Sequence, residues 1–166
     1  EKKSLTRYPD KALKPLTPAV ERYADVFRKI GVDVKLGNRL VNSRKPLPPE
    51  VSAITGSKTK TWIGIAPFAK HKGKIYPLER TEQVLALLNE NDIRIFLFGG
   101  SLLEEEICLA WEQKFQNVTS LVRQITMQQE LDFISNLDVM MSMDSAGMHL
   151  ASLEGVPVVS DRKRVV

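Results

Sequence analysis

Five short apolar runs between residues 60 and 160 alternate with longer stretches of helical periodicity, and this alternation limits the folds open to the chain. Apolar runs of this length are typical of strands buried on both faces, and strands joined by helices pair in parallel. The sequence therefore predicts an α/β fold: a Rossmann-like parallel sheet with helices on both faces. The runs are Trp62–Phe68, Ile93–Phe98, Val118–Leu121, Val139–Met143 and Val156–Val159.

The chain ahead of this region follows a different pattern. A Thr-Pro start, apolar residues at helical spacing and a closing glycine predict a helix over residues 17–31. A proline-rich stretch near residues 45–60 then indicates a domain boundary. We expect a basic interdomain arm with this linker helix at 1–59, the Rossmann-like domain at 60–160, and a tail at 161–166 that looks truncated.

Charge is distributed unevenly between these regions. Residues 1–60 hold fourteen Lys and Arg against six Asp and Glu, whereas residues 61–160 hold seven against thirteen. A basic arm is compatible with nucleic acid, an anionic membrane face or a solvated linker. Because the basic residues are scattered and no nucleic-acid motif accompanies them, we favour the linker or the membrane face and expect no nucleic-acid partner.

Composition also excludes several classes of protein. No run approaches the roughly 20 apolar residues that a membrane-spanning helix needs. Cys108, the single cysteine, rules out an intrachain disulfide and a multi-cysteine metal site, and it fits a reducing compartment. No cluster of His, Cys and carboxylates has ligand spacing, so we expect no protein-bound metal. The expected location is the cytoplasm.

The stretch Val139–Ser152 carries the clearest candidate site. Its apolar run turns at Asp144 and Ser145, whose side chains suit the N-cap of a helix. The small residues Ala146 and Gly147 then leave first-turn N–H groups open to a ligand. A helix N-terminus at the carboxyl end of a parallel strand is an anion site suited to a diphosphate. The alternative is a strand, a turn and a buried helix with no ligand.

The turns after three of the strands belong at the same edge of the sheet. They are residues 67–74, 99–104 and 144–147. Because the carboxyl ends of parallel strands meet at one edge, we expect these turns to form the functional site.

Three motifs in this order resemble a known family. They are Gly64-Ile65-Ala66-Pro67 followed by Lys74-Ile75-Tyr76-Pro77, then Phe98-Gly99-Gly100 with Glu104, then Asp144-Ser145-Ala146-Gly147-Met148-His149-Leu150-Ala151. Together they look like the C-terminal, nucleotide-sugar-binding half of the heptosyltransferases of glycosyltransferase family 9. Those enzymes extend the lipopolysaccharide core of Gram-negative bacteria and have the two-domain GT-B fold. The resemblance covers about residues 60–160, and the arm looks like that family's interdomain region.

The resemblance implies a diphosphate site at the last motif. Lys74 would supply the positive charge that offsets negative charge on the departing diphosphate. The alternative for Lys74 is a solvated charge in the cationic run of residues 70–74. The residues implied to hold the diphosphate are Asp144, Ser145, Ala146, Gly147 and Met148.

The resemblance also implies a nucleoside site. Glu104 would accept hydrogen bonds from the ribose hydroxyls, or it only completes a capping box with Ser101. Ile125 and Met127 would line the adenine pocket, or they are plain core residues. His149 faces either the ligand edge or the core.

Three positions depart from the family's pattern. Ala66 and Phe68 stand where the family often has small hydroxyl residues near the phosphates, which argues against a phosphate contact there. Tyr76 replaces the family's usual tryptophan and keeps an aromatic ring.

The resemblance implies a donor-binding half of an inverting glycosyltransferase that moves a sugar, expected to be heptose, from an ADP-sugar to a lipopolysaccharide core acceptor. It implies no cofactor beyond the nucleotide-sugar substrate. The catalytic base belongs to the N-terminal half of such enzymes, which does not precede Glu1, and that half would also bind the lipid-linked saccharide acceptor. Peripheral contact with the inner face of the bacterial inner membrane is a further expectation. The alternative class is a non-catalytic nucleotide- or sugar-nucleotide-binding module with the same fold.

Overall fold

A computed structural model describes residues 16–37 and 44–160 of the chain. The predictions for residues 1–15 and for the tail at 161–166 lie outside the described residues. The chain divides into two compact units, Glu1–Arg39 and Leu40–Val166.

The described part of the first unit contains one helix, α1 (Ala19–Lys29), as the sequence predicts. The Arg28 guanidinium donates hydrogen bonds to Glu21 at 2.7 Å and Asp25 at 2.8 Å, and also to the carbonyl of Val34. Within α1 only Ala24 is buried. The other residues of its expected apolar face are exposed: Val20, Tyr23, Phe27 and Ile30.

The second unit contains a five-stranded sheet in the order β3-β2-β1-β4-β5, and every neighbouring pair of strands is parallel. This confirms the predicted Rossmann-like α/β fold. The strands are β1 (Thr61–Ala66), β2 (Ile93–Leu97), β3 (Val118–Ser120), β4 (Val139–Ser142) and β5 (Val158–Val159). The helices are α2 (Pro49–Thr55), α3 (Leu78–Asn89), α4 (Leu102–Lys114), α5 (Met127–Ile134) and α6 (Ala146–Leu153).

Helices cover both faces of the sheet because side chains alternate along each strand. On β2, Ile95 packs on the face covered by α3 and α4, and Phe96 packs on the face covered by α2, α5 and α6. Trp62, Phe96 and Phe133 form an aromatic cluster on the second face, with ring centroids 4.8 to 5.2 Å apart.

Cys108 is buried on the first face, where burial raises the pKa of its thiol to about 12. The thiol is therefore unreactive at neutral pH.

Helix α2 lies in the proline-rich stretch, where the sequence indicates a domain boundary. Val51 of this helix is fully buried in the same cluster as the aromatic residues. The core of the second unit thus includes a residue ahead of residue 60, where we expected the Rossmann-like domain to begin. Sequence patterns miss this helix because it has only seven residues and starts between prolines.

Asp138 joins the segment before β1 to the sheet. Its carboxylate accepts hydrogen bonds from Lys58 at 2.7 Å, from Arg44 at 2.9 Å and from the Trp62 N–H at 2.8 Å. Burial opposes ionisation of Asp138, but these donors outweigh it, so the pKa of Asp138 lies below its usual value.

No helix among the described residues is both long and apolar enough to cross a membrane.

We expect Gly64→Ala to destabilise the second unit. A Cβ at Gly64 would lie 2.4 Å from Met140 Sδ and 2.5 Å from Leu137 Cδ1, and both side chains are fully buried. Overpacking of this kind costs about 1–3 kcal/mol, which a lower urea midpoint would report. Gly73→Ala, in the same unit, is the matched control, because nothing lies within 4 Å of a Cβ there. Equal midpoints for the two variants would contradict the assignment.

Asp138→Asn should destabilise the chain at neutral pH and hardly at all in acid. The lowered pKa means that the charged carboxylate stabilises the fold above the usual aspartate pKa, and that this stabilisation disappears as the pH falls through the folded-state pKa. The loss should be about 1 kcal/mol at pH 7, since the ion pairs are partly exposed. Urea titrations at pH 7 and pH 3 measure the difference, and an equal loss at both pH values would contradict it.

Candidate functional site

The three turns expected at the functional edge do meet there. They line one cavity of about 400 Å³. The predicted site residues among its walls are Lys74, Glu104, Met127, Asp144, Ser145, Ala146 and Gly147. The other lining residues are Ala66, Phe68, Ala69, Lys70, His71, Phe98, Gly99, Gly100, Glu130 and Leu150.

The charged residues that line the cavity lie after successive strands along this edge of the sheet. Glu130 follows β3 and Glu104 follows β2, whereas Lys70 and Lys74 follow β1. The N-terminus of α6 follows β4, next to the lysines. The Glu104 and Glu130 carboxylates therefore lie towards one end of the cavity, and the lysines, the Asp144 carboxylate and the helix N-terminus lie towards the other.

The N-terminus of α6 takes a different form from the expected cap. Ser145 occupies the N-cap position, but its side chain makes no capping hydrogen bond. The Ser145 hydroxyl lies 3.3 Å from the Ser142 hydroxyl instead. The prediction of a Ser145 side-chain cap is therefore wrong, because the hydroxyl turns towards the end of β4.

Lys74 reaches the same end of the cavity. It ends a short 3-10 turn, in which its N–H donates to the carbonyl of His71 at 2.8 Å. Its Nζ donates to Asp144 Oδ2 at 2.9 Å and to the Asp144 carbonyl at 3.3 Å. The sequence placed both residues at an anion site, and the structure shows that they form an ion pair. An incoming anion would meet Lys74 already positioned beside the α6 N-terminus.

Glu104 completes the capping box that the sequence offered as its alternative role. Its Oε2 accepts hydrogen bonds from the N–H groups of Gly100 at 2.7 Å and Ser101 at 3.0 Å, and its own N–H donates to the Ser101 hydroxyl. The carboxyl group also lines the cavity. Its Oε1 makes no hydrogen bond to the described residues, so the structural role leaves one oxygen for a ligand.

Of the two residues expected at the adenine pocket, only one lines the cavity. Met127 lines the cavity and is 62% exposed. Ile125 packs against the aromatic-containing core cluster and is not among the lining residues, which matches its alternative role as a core residue. Met148 and His149 also fall outside the lining residues, and His149 is exposed. Helical direction explains this, because the third and fourth residues of α6 turn away from the cavity.

Phe68 lines the cavity in place of a small hydroxyl residue. Its ring stacks on Trp111 with centroids 6.5 Å apart. Tyr76 does not line the cavity. Among the described residues, no group of three or more His, Cys, Asp or Glu has the arrangement of a metal site.

Sequence analysis missed Glu130 as a cavity residue. It lies three positions after Met127, and residues at this spacing share one face of a helix. That spacing is the signal that could have identified it.

Gly147 is required for packing of α6 on the sheet. A Cβ there would lie 2.8 Å from Ala66 Cβ and 3.0 Å from Ser142 Oγ. The glycine therefore sets the distance between the helix and the strand ends, whether or not a ligand is bound. A bulky substitution at this position does not test ligand binding alone.

One family model matches the chain. The model of glycosyltransferase family 9 (heptosyltransferase) matches residues 2–160. No protein in a search of curated sequences matches.

The similar solved structures share the fold at low identity. The structure of E. coli heptosyltransferase WaaC with ADP-2-deoxy-2-fluoro heptose is 20% identical, covers 95% of this chain and 51% of that chain, and has a TM-score of 0.66. A family 9 glycosyltransferase from Veillonella parvula is 15% identical, with coverages of 94% and 48% and a TM-score of 0.68. E. coli ADP-heptose lipopolysaccharide heptosyltransferase II is 16% identical, with coverages of 93% and 40% and a TM-score of 0.56. The chain spans about half the length of these proteins or less.

Gly147→Ala should destabilise the second unit by about 1–3 kcal/mol, because Ala66 belongs to a central strand and its Cβ cannot move aside. Ala66→Gly should relieve the clash, so the double variant should be more stable than the sum of the two single effects. Urea unfolding of the four proteins in this cycle measures the coupling. Strict additivity would show that α6 does not depend on this contact.

Proposed function

Since the chain belongs to glycosyltransferase family 9, we propose that its cavity binds the nucleoside diphosphate part of an ADP-linked sugar donor. The observation that carries this proposal is the meeting of Lys74 and the α6 N-terminus at one end of a cavity whose other end is acidic. A nucleoside diphosphate has the matching polarity, with an anionic end and a neutral end rich in hydrogen-bond donors.

The diphosphate lies at the end formed by β1 and β4 in this proposal. Backbone N–H groups of the α6 first turn and the Lys74 ammonium act on the same negative charge. Asp144 holds Lys74 in place through the ion pair. The small side chains of Ala146 and Gly147 allow the phosphates to approach the helix.

The nucleoside extends over β2 and β3. The free Oε1 of Glu104 accepts a hydrogen bond from a ribose hydroxyl, while its Oε2 stays bonded to Gly100 and Ser101. Met127 contributes apolar surface to one side of the base. Ile125 supports this wall from the core.

The reaction proposed for the whole protein is transfer of a heptose from an ADP-sugar to a lipopolysaccharide core acceptor, with inversion at the anomeric carbon. Lys74 stabilises the charge that develops on the leaving diphosphate, which requires no proton transfer and no metal ion. The acceptor and the base that activates it belong to the other half of the two-domain fold. The basic arm then brings the protein to an anionic membrane face, where a lipid-linked acceptor is found. The solved WaaC structure with ADP-2-deoxy-2-fluoro heptose supports the choice of donor.

Lys74→Ala should weaken ADP binding about tenfold or more and leave adenosine binding nearly unchanged. A charge-assisted hydrogen bond to phosphate is worth about 1.5–3 kcal/mol, at roughly 1.4 kcal/mol per decade of affinity. Adenosine has no phosphate to lose. Isothermal titration of the full chain with ADP, UDP, GDP and adenosine measures both the lysine's effect and the preference for adenine.

Lys114→Ala is the matched control for this experiment. Lys114 also forms an ion pair with a carboxylate, Glu82, but it does not line the candidate cavity. Its loss should leave ADP affinity unchanged. An unchanged ADP affinity in Lys74→Ala, or an equal loss for adenosine, would show that Lys74 is only a solvated loop charge.

A further inference from the structure

Glu130 places a carboxyl group in the cavity that the proposed donor site does not use. It lies in the first turn of α5, on the same face as Met127, and both line the cavity. Its side chain makes no hydrogen bond or ion pair with the described residues. Burial raises the pKa of the carboxyl group, so this position is unfavourable for an ionised group that lacks a partner.

The neighbouring polar side chains of α5 are all paired. Gln129 forms a capping box with Thr126, and Gln128 donates to Asp132 at 3.1 Å. An acidic residue in the first turn of a helix is favoured by the helix dipole. The dipole does not explain why the carboxyl group faces a cavity, because an exposed side chain would gain the same stabilisation. A ligand that donates a hydrogen bond would account for both features.

The strand order identifies which part of the ligand reaches Glu130. A nucleotide whose diphosphate lies at β1 and β4 extends over β2, where Glu104 lies, towards β3. The base is then the part next to α5, which begins after β3. Adenine carries an exocyclic amine with two N–H donors, whereas the corresponding group of uracil is a carbonyl oxygen that a carboxyl oxygen would repel.

We propose that Glu130 is a specificity-determining residue, which accepts a hydrogen bond from the exocyclic amine of the adenine base. This inference rests on the proposed function, since it needs a nucleoside diphosphate in the cavity. Met127 contacts the face of the base in this arrangement, and Glu130 contacts its edge. In this arrangement Met127 contributes to the affinity for the base, and Glu130 selects adenine over other bases.

The test compares ADP with purine riboside 5′-diphosphate, which lacks only the exocyclic amine. The wild-type chain should bind ADP about tenfold more tightly than the analogue. Glu130→Met should bind the two ligands equally, because the acceptor is gone while the volume is kept. Glu130→Gln should retain most of the preference, since the amide carbonyl still accepts a hydrogen bond. Glu106→Met, which removes an exposed carboxylate outside the cavity, should behave as wild type.

The possible results separate the two proposals. If no nucleoside diphosphate binds the wild-type chain, both the proposed function and this inference are wrong. If ADP binds and Glu130→Met keeps the tenfold preference, only the assignment of Glu130 fails. If Glu130→Met instead loses the preference for ADP over 2′-deoxy-ADP, the carboxyl group binds the ribose and the inference is overturned. Circular dichroism and urea midpoints verify that each variant is folded.

Discussion

The pairing of β1 with both β2 and β4 is the constraint on which the rest of this structure depends. This pairing places β1 at the centre of the sheet. The connection from β1 leads to β2 on one side of it, and the later connection from β3 leads to β4 on the other side. A crevice opens at the carboxyl end of such a strand, because the chain leaves the sheet in opposite directions there. Lys74 and Asp144 follow the two strands that flank this crevice, and they meet in an ion pair although 70 residues separate them.

Close packing on the two sides of β4 turns this pairing into a usable cavity. Gly64 admits Met140 and Leu137 against the sheet, and Gly147 brings α6 to within contact of Ala66. A side chain at either glycine would clash with these neighbours. The Gly147 contact that packs α6 on the sheet therefore also sets the position of the α6 N-terminus at the cavity.

Two of the charged residues of the cavity already have partners in the structure. Lys74 is neutralised by Asp144, and Glu104 is satisfied by two backbone N–H groups on one oxygen. Such pairing reduces the cost of holding charged groups in a partly desolvated site. Glu130 is the exception among these carboxylates, since no described residue donates to it. In the proposed donor site, the ligand would supply the partner that Glu130 lacks among the described residues.

The sequence by itself determined the five strands and their arrangement in layers, but not helix α2. Alternation of apolar runs with helical periodicity is a local property, so the five strands and the capping boxes at Ser101 and Thr126 could be read directly. The turns after three of the strands also identified the edge that carries the candidate site, because the carboxyl ends of parallel strands meet there. The tertiary structure alone decided what depends on contacts between distant segments: that Val51 belongs to the core, that Ser145 turns towards Ser142, and that Met127 rather than Ile125 faces the cavity. These outcomes follow from helix rotation and packing across the sheet, which a pattern of residues along the chain does not encode.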